Sequence, residues 1–271
     1  MPIAEALKSV TPAGWRRGHS ARHPTTRALV VPATGARHDA SRRPCSPRRT
    51  YSTARFRRQY CSSVGLCVHM AVRCHGKNNA ELVRNLSGKA GIVKDPRVVA
   101  AMEMVDRGAY CQAHPYEDRP QRIGYNITIS APHMHAHALQ ELATNLVPGA
   151  KVLDVGCGSG YLTACFAELV RGSGGHAYGI DHISGLVELS ETNMRRGNPS
   201  YLENGDASLF VADGFQGLPA HAPFDVIHVG AAAPTLPEAL VAQLAPGGKL
   251  FIPVGPDGGS QVRSLLSLRM I

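Results

Sequence analysis

One ten-residue stretch, 152–161, limits what this chain can fold into more than any other. It reads Val-Leu-Asp154-Val-Gly156-Cys-Gly158-Ser159-Gly160-Tyr. An apolar run ends in an acid, three alternating glycines follow, and Leu162–Ala167 then has the composition of a helix, so the pattern predicts a strand, a tight turn and a helix start. Glycine accepts positive φ and carries no Cβ, which lets backbone N–H groups at a helix N-terminus come close to a polar or anionic ligand. A dinucleotide-binding turn would place its third glycine where Tyr161 stands, which disfavours a nicotinamide oxidoreductase. A second acid, Asp181, closes the next apolar run about 20 residues on, where a carboxylate can take both hydroxyls of a ribose. The plainer alternative is a set of ordinary loop glycines with a helix-capping acid.

Composition adds an appendage. Of the 271 residues, 1–69 hold 13 Lys or Arg against two acids, a net of +11, while 70–271 hold 16 basic and 18 acidic residues, a net of −2. The overall +9 therefore belongs to the extension and does not mark the remainder as a nucleic-acid binder. Residues 1–69 are rich in Arg, Ser, Pro and Thr without apolar periodicity, so they are expected to be disordered. Being Arg-rich and acid-poor, they also resemble a mitochondrial transit peptide; the alternatives are an untargeted extension or sequence upstream of a start at Met70. A cytoplasmic location is expected, or a mitochondrial one if the extension is a transit signal. No apolar run approaches the roughly 20 residues needed to span a bilayer. Seven cysteines show no C-x-x-C pair and no zinc spacing, which fits free thiols in a reducing compartment. Cys157, inside the glycine turn, is read as packing.

From Met70 the pattern becomes globular. Residues 79–86 and 95–102 place apolar residues at helical spacing, the second opening with Asp95 before Pro96 as N-cap and first helical residue. These two helices are expected to form a lid or wall over the ligand mouth. Residues 123–136 then alternate as a strand or extended loop ending in Ser130, Pro132 and His133, with a helix over 136–146. His133, His135 and His137 alternate, but at a helix start they share no strand face and no carboxylate joins them, so no metal is expected.

Beyond the glycine turn, strands at 152–155, 177–180, 208–212, 225–229 and 249–254 alternate with helices at 161–170, 184–194 and 237–244. That spacing predicts an α/β fold with a doubly wound, mostly parallel sheet. The ligand is expected beyond the carboxyl ends of the strands, where Asp154 with its glycines, Asp181, Asp213 with Gly214, and 230–234 converge. Asp213 and Gly214 would flank the base of a nucleoside; an ordinary Asp-Gly turn is the alternative.

The turn with its two acids resembles that of S-adenosyl-L-methionine (AdoMet)-dependent methyltransferases of Rossmann-like fold. From Met70 to about Gln261 the chain also resembles the protein-L-isoaspartate (D-aspartate) O-methyltransferase family. The likeness rests on the runs 121–136 (with Thr-Ile-Ser-Ala-Pro-His-Met-His), 153–160, 179–183, 228–234 (with Val-Gly-Ala-Ala-Ala-Pro) and 244–256. It implies methyl transfer from AdoMet to the free carboxylate of L-isoaspartyl and D-aspartyl residues in damaged proteins and peptides, by a monomer needing no metal, nucleic acid or membrane. Ser130 would be the active-site hydroxyl. Ile127, Thr128, Ile129, Ser130, His135, Ser159, Asp181, His182, Asp213 and Gly214 would line the AdoMet pocket, together with Asp154, Gly156, Gly158 and Gly160 of the turn. After Gln261 the chain departs from the family pattern, so the sheet is expected to lack its last strands and expose an apolar edge. A truncated, catalytically impaired form is the alternative reading.

Overall fold

The sheet grows outward from β3 (Lys151–Val155), of which all but the first residue are buried. Parallel neighbours flank it, β4 (His176–Asp181) on one side and β6 (Phe224–Val229) on the other. β5 (Ala207–Val211) pairs parallel outside β4, and β7 (Leu244–Val254) parallel outside β6. β8 (Val262–Ser267) returns antiparallel along β7, giving the order β5-β4-β3-β6-β7-β8. The strand order reverses between β3 and β6, the position at which doubly wound sheets open a crevice beyond their carboxyl ends. This computed structural model describes residues 74–255 and the backbone of 262–267. The expectations for residues 1–69 lie outside the described residues.

Period-two alternation sorts the strand side chains onto two faces. Val152, Val226 and Phe251 join one core, with Leu82, Leu86, Val98, Met102, Leu139 and Phe166. Leu153, Val155, Ile227, Val229, Leu250 and Ile252 join the other, with Leu240 of α7 (Glu238–Ala242). The first core is the thicker because α4 (Tyr161–Val170) lies inside it. Every residue of α4 except Glu168 is buried, the pattern of a helix enclosed on all sides. α1 (Asn79–Arg84), α2 (Pro96–Met104) and α3 (Pro132–Leu142) form the outer layer over it. α2 starts as its sequence predicts, with Asp95 accepting from the Arg97 N–H at 2.9 Å and Pro96 at the first position. Arg97 in turn donates to the carbonyls of Ala143 and Leu146, both at 2.9 Å, and so satisfies acceptors left open where α3 ends. α5 (Ser184–Gly197) follows β4, and a single turn, α6 (Ser200–Glu203), precedes β5.

Four expectations change. The run 123–136, expected as a strand or extended loop, instead begins within a hairpin of β1 (Gln121–Gly124) and β2 (Ile127–Ile129). Tyr125 and Asn126 turn it at φ 51° and 59°, the left-handed pair a two-residue hairpin loop needs. α3 begins at Pro132 and not at Ala136, because proline's fixed φ and missing N–H suit a first helical position. No residue of α1 or α2 lines either cavity described below; the hairpin takes that place. Finally, 262–267 pairs along β7, so the β7 edge expected to be bare is covered by a strand.

Candidate active site

The glycine turn is held by backbone bonds to its neighbours. The N–H groups of Gly156 and Cys157 donate to the Ile180 carbonyl at 2.8 and 3.0 Å, and the Gly158 N–H to Asp181 Oδ2 at 3.2 Å. Gly156, Gly158 and Gly160 have φ of 78°, 55° and 83°. Gly160 caps α4 in the left-handed region, and a Cβ there would stand 3.1 Å from Cβ of Ser190 in α5. Its absence lets α4 and α5 close together. Asp181, nearly buried, uses Oδ2 for the turn and Oδ1 for the Ile183 N–H at 3.1 Å, with His182 Nδ1 3.4 Å away. A carboxylate has about four acceptor sites, so Asp181 keeps capacity for a ligand.

Strand register builds a second group. Gly179, Asp154, His228 and Phe251 are successive partners across β4, β3, β6 and β7, and so form one row on the α4 face. A Cβ on Gly179 would lie 2.9 Å from Thr163 Oγ1; without it Thr163 reaches over and donates to Asp154 Oδ2 at 2.6 Å. His228 Nδ1 lies 2.8 Å from Asp154 Oδ1, and its ring stacks on Phe251. Both carboxylate oxygens of this 1%-exposed acid are thus engaged within the protein. Asp154, taken from the sequence as a ligand-binding acid, orients His228.

The third group comes from the cap. Arg107, on the 3₁₀ turn after α2, is fully buried. It donates to the Pro115 and Ser130 carbonyls at 2.8 Å each, and its Nη1 is 3.1 Å from His135 Nδ1. The Tyr161 ring lies beneath it, 5.3 Å from Cζ. Burial first, then the charge of Arg107 and the neighbouring His228 and His133, hold the His135 pKa well below its ordinary value. His133 turns away to Asp118, 2.7 Å from Nδ1, a carboxylate the sequence reading did not place beside the histidine run. The hairpin covers the turn: Ile123 Cδ1 lies 3.5 Å from where a Cβ of Gly158 would be, and the Tyr125 phenol fills the space a Cβ would occupy on Gly185.

Two adjoining cavities result. The polar one, of about 370 Å³, takes in Ile127, Thr128, Ile129, Ser130 and His135 from the cap. From the sheet side it takes Asp154, Gly156, Gly158, Ser159, Asp181 and His182. The other, of about 360 Å³, is walled mainly by Val155, Ile180, Phe215, Leu240 and Ile252, with Asp213 and Gly214 at its edge. Gly156, Asp181, His182, Val229 and Ala231 border both. Asp213 also makes the turn its Asp-Gly dipeptide suggests, accepting from the Phe215 N–H at 2.9 Å. Gly160, counted with the ligand-binding glycines from the sequence, borders neither cavity, because it faces α5. His228, Met134, Asn126 and Phe251 line the polar cavity without having been singled out, and Arg107 stands behind it. Alternation along β6, set in register with the acid of β3, would have found His228; nothing local marks Arg107.

The described fold and both cavities lie within the region that matches a known family. Residues 77–268 match the model for protein-L-isoaspartate(D-aspartate) O-methyltransferase (PCMT). The Caenorhabditis elegans protein-L-isoaspartate O-methyltransferase is 51% identical over 193 residues, 71% of this chain and 85% of that protein. The Arabidopsis thaliana protein-L-isoaspartate O-methyltransferase 1 is 53% identical over 180 residues, 65% of this chain and 77% of that protein. Among solved structures, the Plasmodium falciparum beta-aspartate methyltransferase (PCMT) in complex with S-adenosyl-L-homocysteine superposes with a TM-score of 0.65 at 38% identity, covering 70% of this chain and 89% of its own. The chain belongs to the protein-L-isoaspartate (D-aspartate) O-methyltransferase family.

Proposed function

We propose that this protein transfers a methyl group from AdoMet to the free carboxylate of L-isoaspartyl and D-aspartyl residues in damaged proteins, a repair reaction. The observation that carries the reading is Asp181 on the border between a polar and an apolar cavity, beyond the carboxyl ends of β3 and β4. AdoMet has a polar amino-acid end, a ribose diol and an apolar base in that order, and the two cavities offer surroundings in the same order. Asp181 would take the ribose hydroxyls, the apolar cavity with Asp213 and Gly214 the adenine, and the glycine turn with Ser159 the amino-acid end. Asp154 acts at one remove, through His228. The paired β7 edge weighs against a catalytically impaired form.

Bound AdoMet supplies an electrophilic methyl group on a sulfonium sulfur. A substrate carboxyl with a pKa of about 4 is already ionised at neutral pH, so no general base is needed. The protein's work is therefore to orient the carboxylate and to strip water from it. Ser130 is half-buried on the polar cavity, with its carbonyl bonded by Arg107, and in this reading its hydroxyl would donate to the acceptor carboxylate. The cap residues 127–130 line the same space.

The partners are isoaspartyl-containing proteins and peptides, and we read the enzyme as a monomer acting without nucleic acid or membrane. Buried thiols at Cys111, Cys157 and Cys165 favour a reducing, cytoplasmic setting. Incubation of the full chain with methyl-labelled AdoMet and an isoaspartyl peptide, beside its aspartyl twin, tests the reaction. Base-labile label in the isoaspartyl peptide alone is expected; equal labelling of the twins, or none, would overturn it.

A further inference from the structure

Arg107 carries its charge in an unusual setting. It is fully buried, yet its guanidinium partners among the described residues are two carbonyls and an imidazole, with no carboxylate. Buried cations are normally paired with an acid, because desolvation of an uncompensated charge is costly. Burial lowers the Arg107 pKa and Asp118 acts on it through space without bonding it, so the guanidinium is held mainly by neutral acceptors.

The contact with His135 also fixes a proton. A guanidinium has donors only, so His135 Nδ1, at 3.1 Å, must accept, and the ring hydrogen of the neutral imidazole sits on Nε2. Its burial and the cations and imidazoles around it keep the ring neutral. No buried side-chain nitrogen among the described residues lacks a partner, and His135 borders the polar cavity, so Nε2–H opens onto that cavity. Across the same cavity the arrangement is reversed. The Asp154 carboxylate accepts, so His228 Nδ1 donates to it at 2.8 Å. The cap side thus offers the cavity a ring donor held by the Arg107 guanidinium.

We propose that Arg107 is a positioning residue which, through His135, presents a polarised Nε2–H donor to a carboxylate bound in the polar cavity. The inference rests on the methyltransferase reading above, under which two carboxylates enter this space: that of the methyl donor's amino-acid end and that of the isoaspartyl acceptor. A hydrogen bond to a charged partner of this kind corresponds to about ten- to hundredfold in affinity.

The wild-type full chain, labelled with ¹⁵N in its histidine rings and observed by long-range ¹H–¹⁵N correlation at neutral pH, is expected to show His135 as the neutral Nε2–H tautomer. Binding of S-adenosyl-L-homocysteine and of its decarboxylated analogue is then measured for wild type, His135→Gln, which keeps a donor, and His135→Phe, which does not. KM and kcat for an isoaspartyl peptide are measured alongside. Loss of affinity in His135→Phe for the carboxylate-bearing nucleoside alone, with His135→Gln near wild type, assigns the donor's carboxylate. A raised peptide KM with nucleoside affinity unchanged assigns the acceptor's. Arg107→Met is expected to shift the tautomer towards Nδ1–H and to reproduce whichever loss is found; if it does not fold, the wild-type spectrum and the His135 pair still decide. An Nδ1–H or imidazolium signal in wild type, or identical behaviour of the two His135 variants, overturns the proposal. Failure of the wild type to bind S-adenosyl-L-homocysteine would instead sink the functional reading, so the two failures are distinct.

Discussion

The polar cavity has two walls built by different means. The sheet wall is made by backbone: glycines at positive φ, N–H groups bonded across strand ends, and Asp181 fastened by the Gly158 and Ile183 amides. The cap wall is made by side chains, with Arg107 joining the Pro115 and Ser130 carbonyls to His135. A backbone wall depends on local conformation, and a change there is felt by the ligand before it is felt by the fold. A side-chain wall hangs on one cation, and its loss is felt by the whole cap.

The sharpest way to break this contrast is Arg107→Ala. One buried and two partly buried acceptors lose their donor at roughly 1–3 kcal/mol each, offset in part by removal of a buried charge, so a loss of about 4 kcal/mol is expected in denaturant unfolding. Asp181→Ala, on the other wall, is expected to cost half as much, about 2 kcal/mol, because two partly buried amides lose their acceptor. It should weaken S-adenosyl-L-homocysteine binding by about 3 kcal/mol, seen by calorimetry, because two charge-assisted bonds to a diol are lost. Equal losses of stability in the two variants would erase the distinction. Gly185→Ala strikes the seam between the walls: its Cβ would meet the Tyr125 phenol, an exposed ring that can swing aside, so a cost of about 1 kcal/mol or less is expected, and Tyr125→Ala in the same chain should remove it. Ser130→Ala is expected to lower kcat about tenfold while nucleoside binding stays near wild type.

The smallest effect is on pH dependence. The folded-state pKa of His135 is depressed, so between that value and the ordinary unfolded value of about 6.5 the unfolded chain binds the extra proton. Its contribution to stability is therefore complete above about pH 6.5 and is lost as pH falls below it, by at most about 1.4 kcal/mol per unit. His135→Gln should flatten that limb of a stability profile, and an unchanged slope would count against a buried neutral ring.

The same contrast explains what the sequence discloses. The sheet wall was legible because its function is written in local residue types: alternating glycines, an acid at each strand end and β-branched runs between them. The cap wall was not. Arg107 and His135 are 28 residues apart and meet only when α2, the hairpin and α3 have packed. The row of Asp154 and His228 requires the register of β3 against β6, which no single strand reveals. The hairpin was hidden for another reason. Tyr125 at φ 51° runs against the preference of a bulky side chain, and its seat on Gly185, supplied by a distant helix, offsets the strain.

The enclosure of α4 also governs how this molecule meets electrophiles. Cys165 on that helix and Cys157 in the glycine turn are buried, and burial pushes both thiols up to about 12. At physiological pH the reactive thiolate is almost absent at these two positions, so oxidants and alkylating agents find little to attack there. Modification of Cys165 then keeps time with the opening of the core, whereas Cys157 also borders the polar cavity, and a pulse of thiol reagent read at Cys165 becomes a clock for how long each copy of the enzyme stays folded.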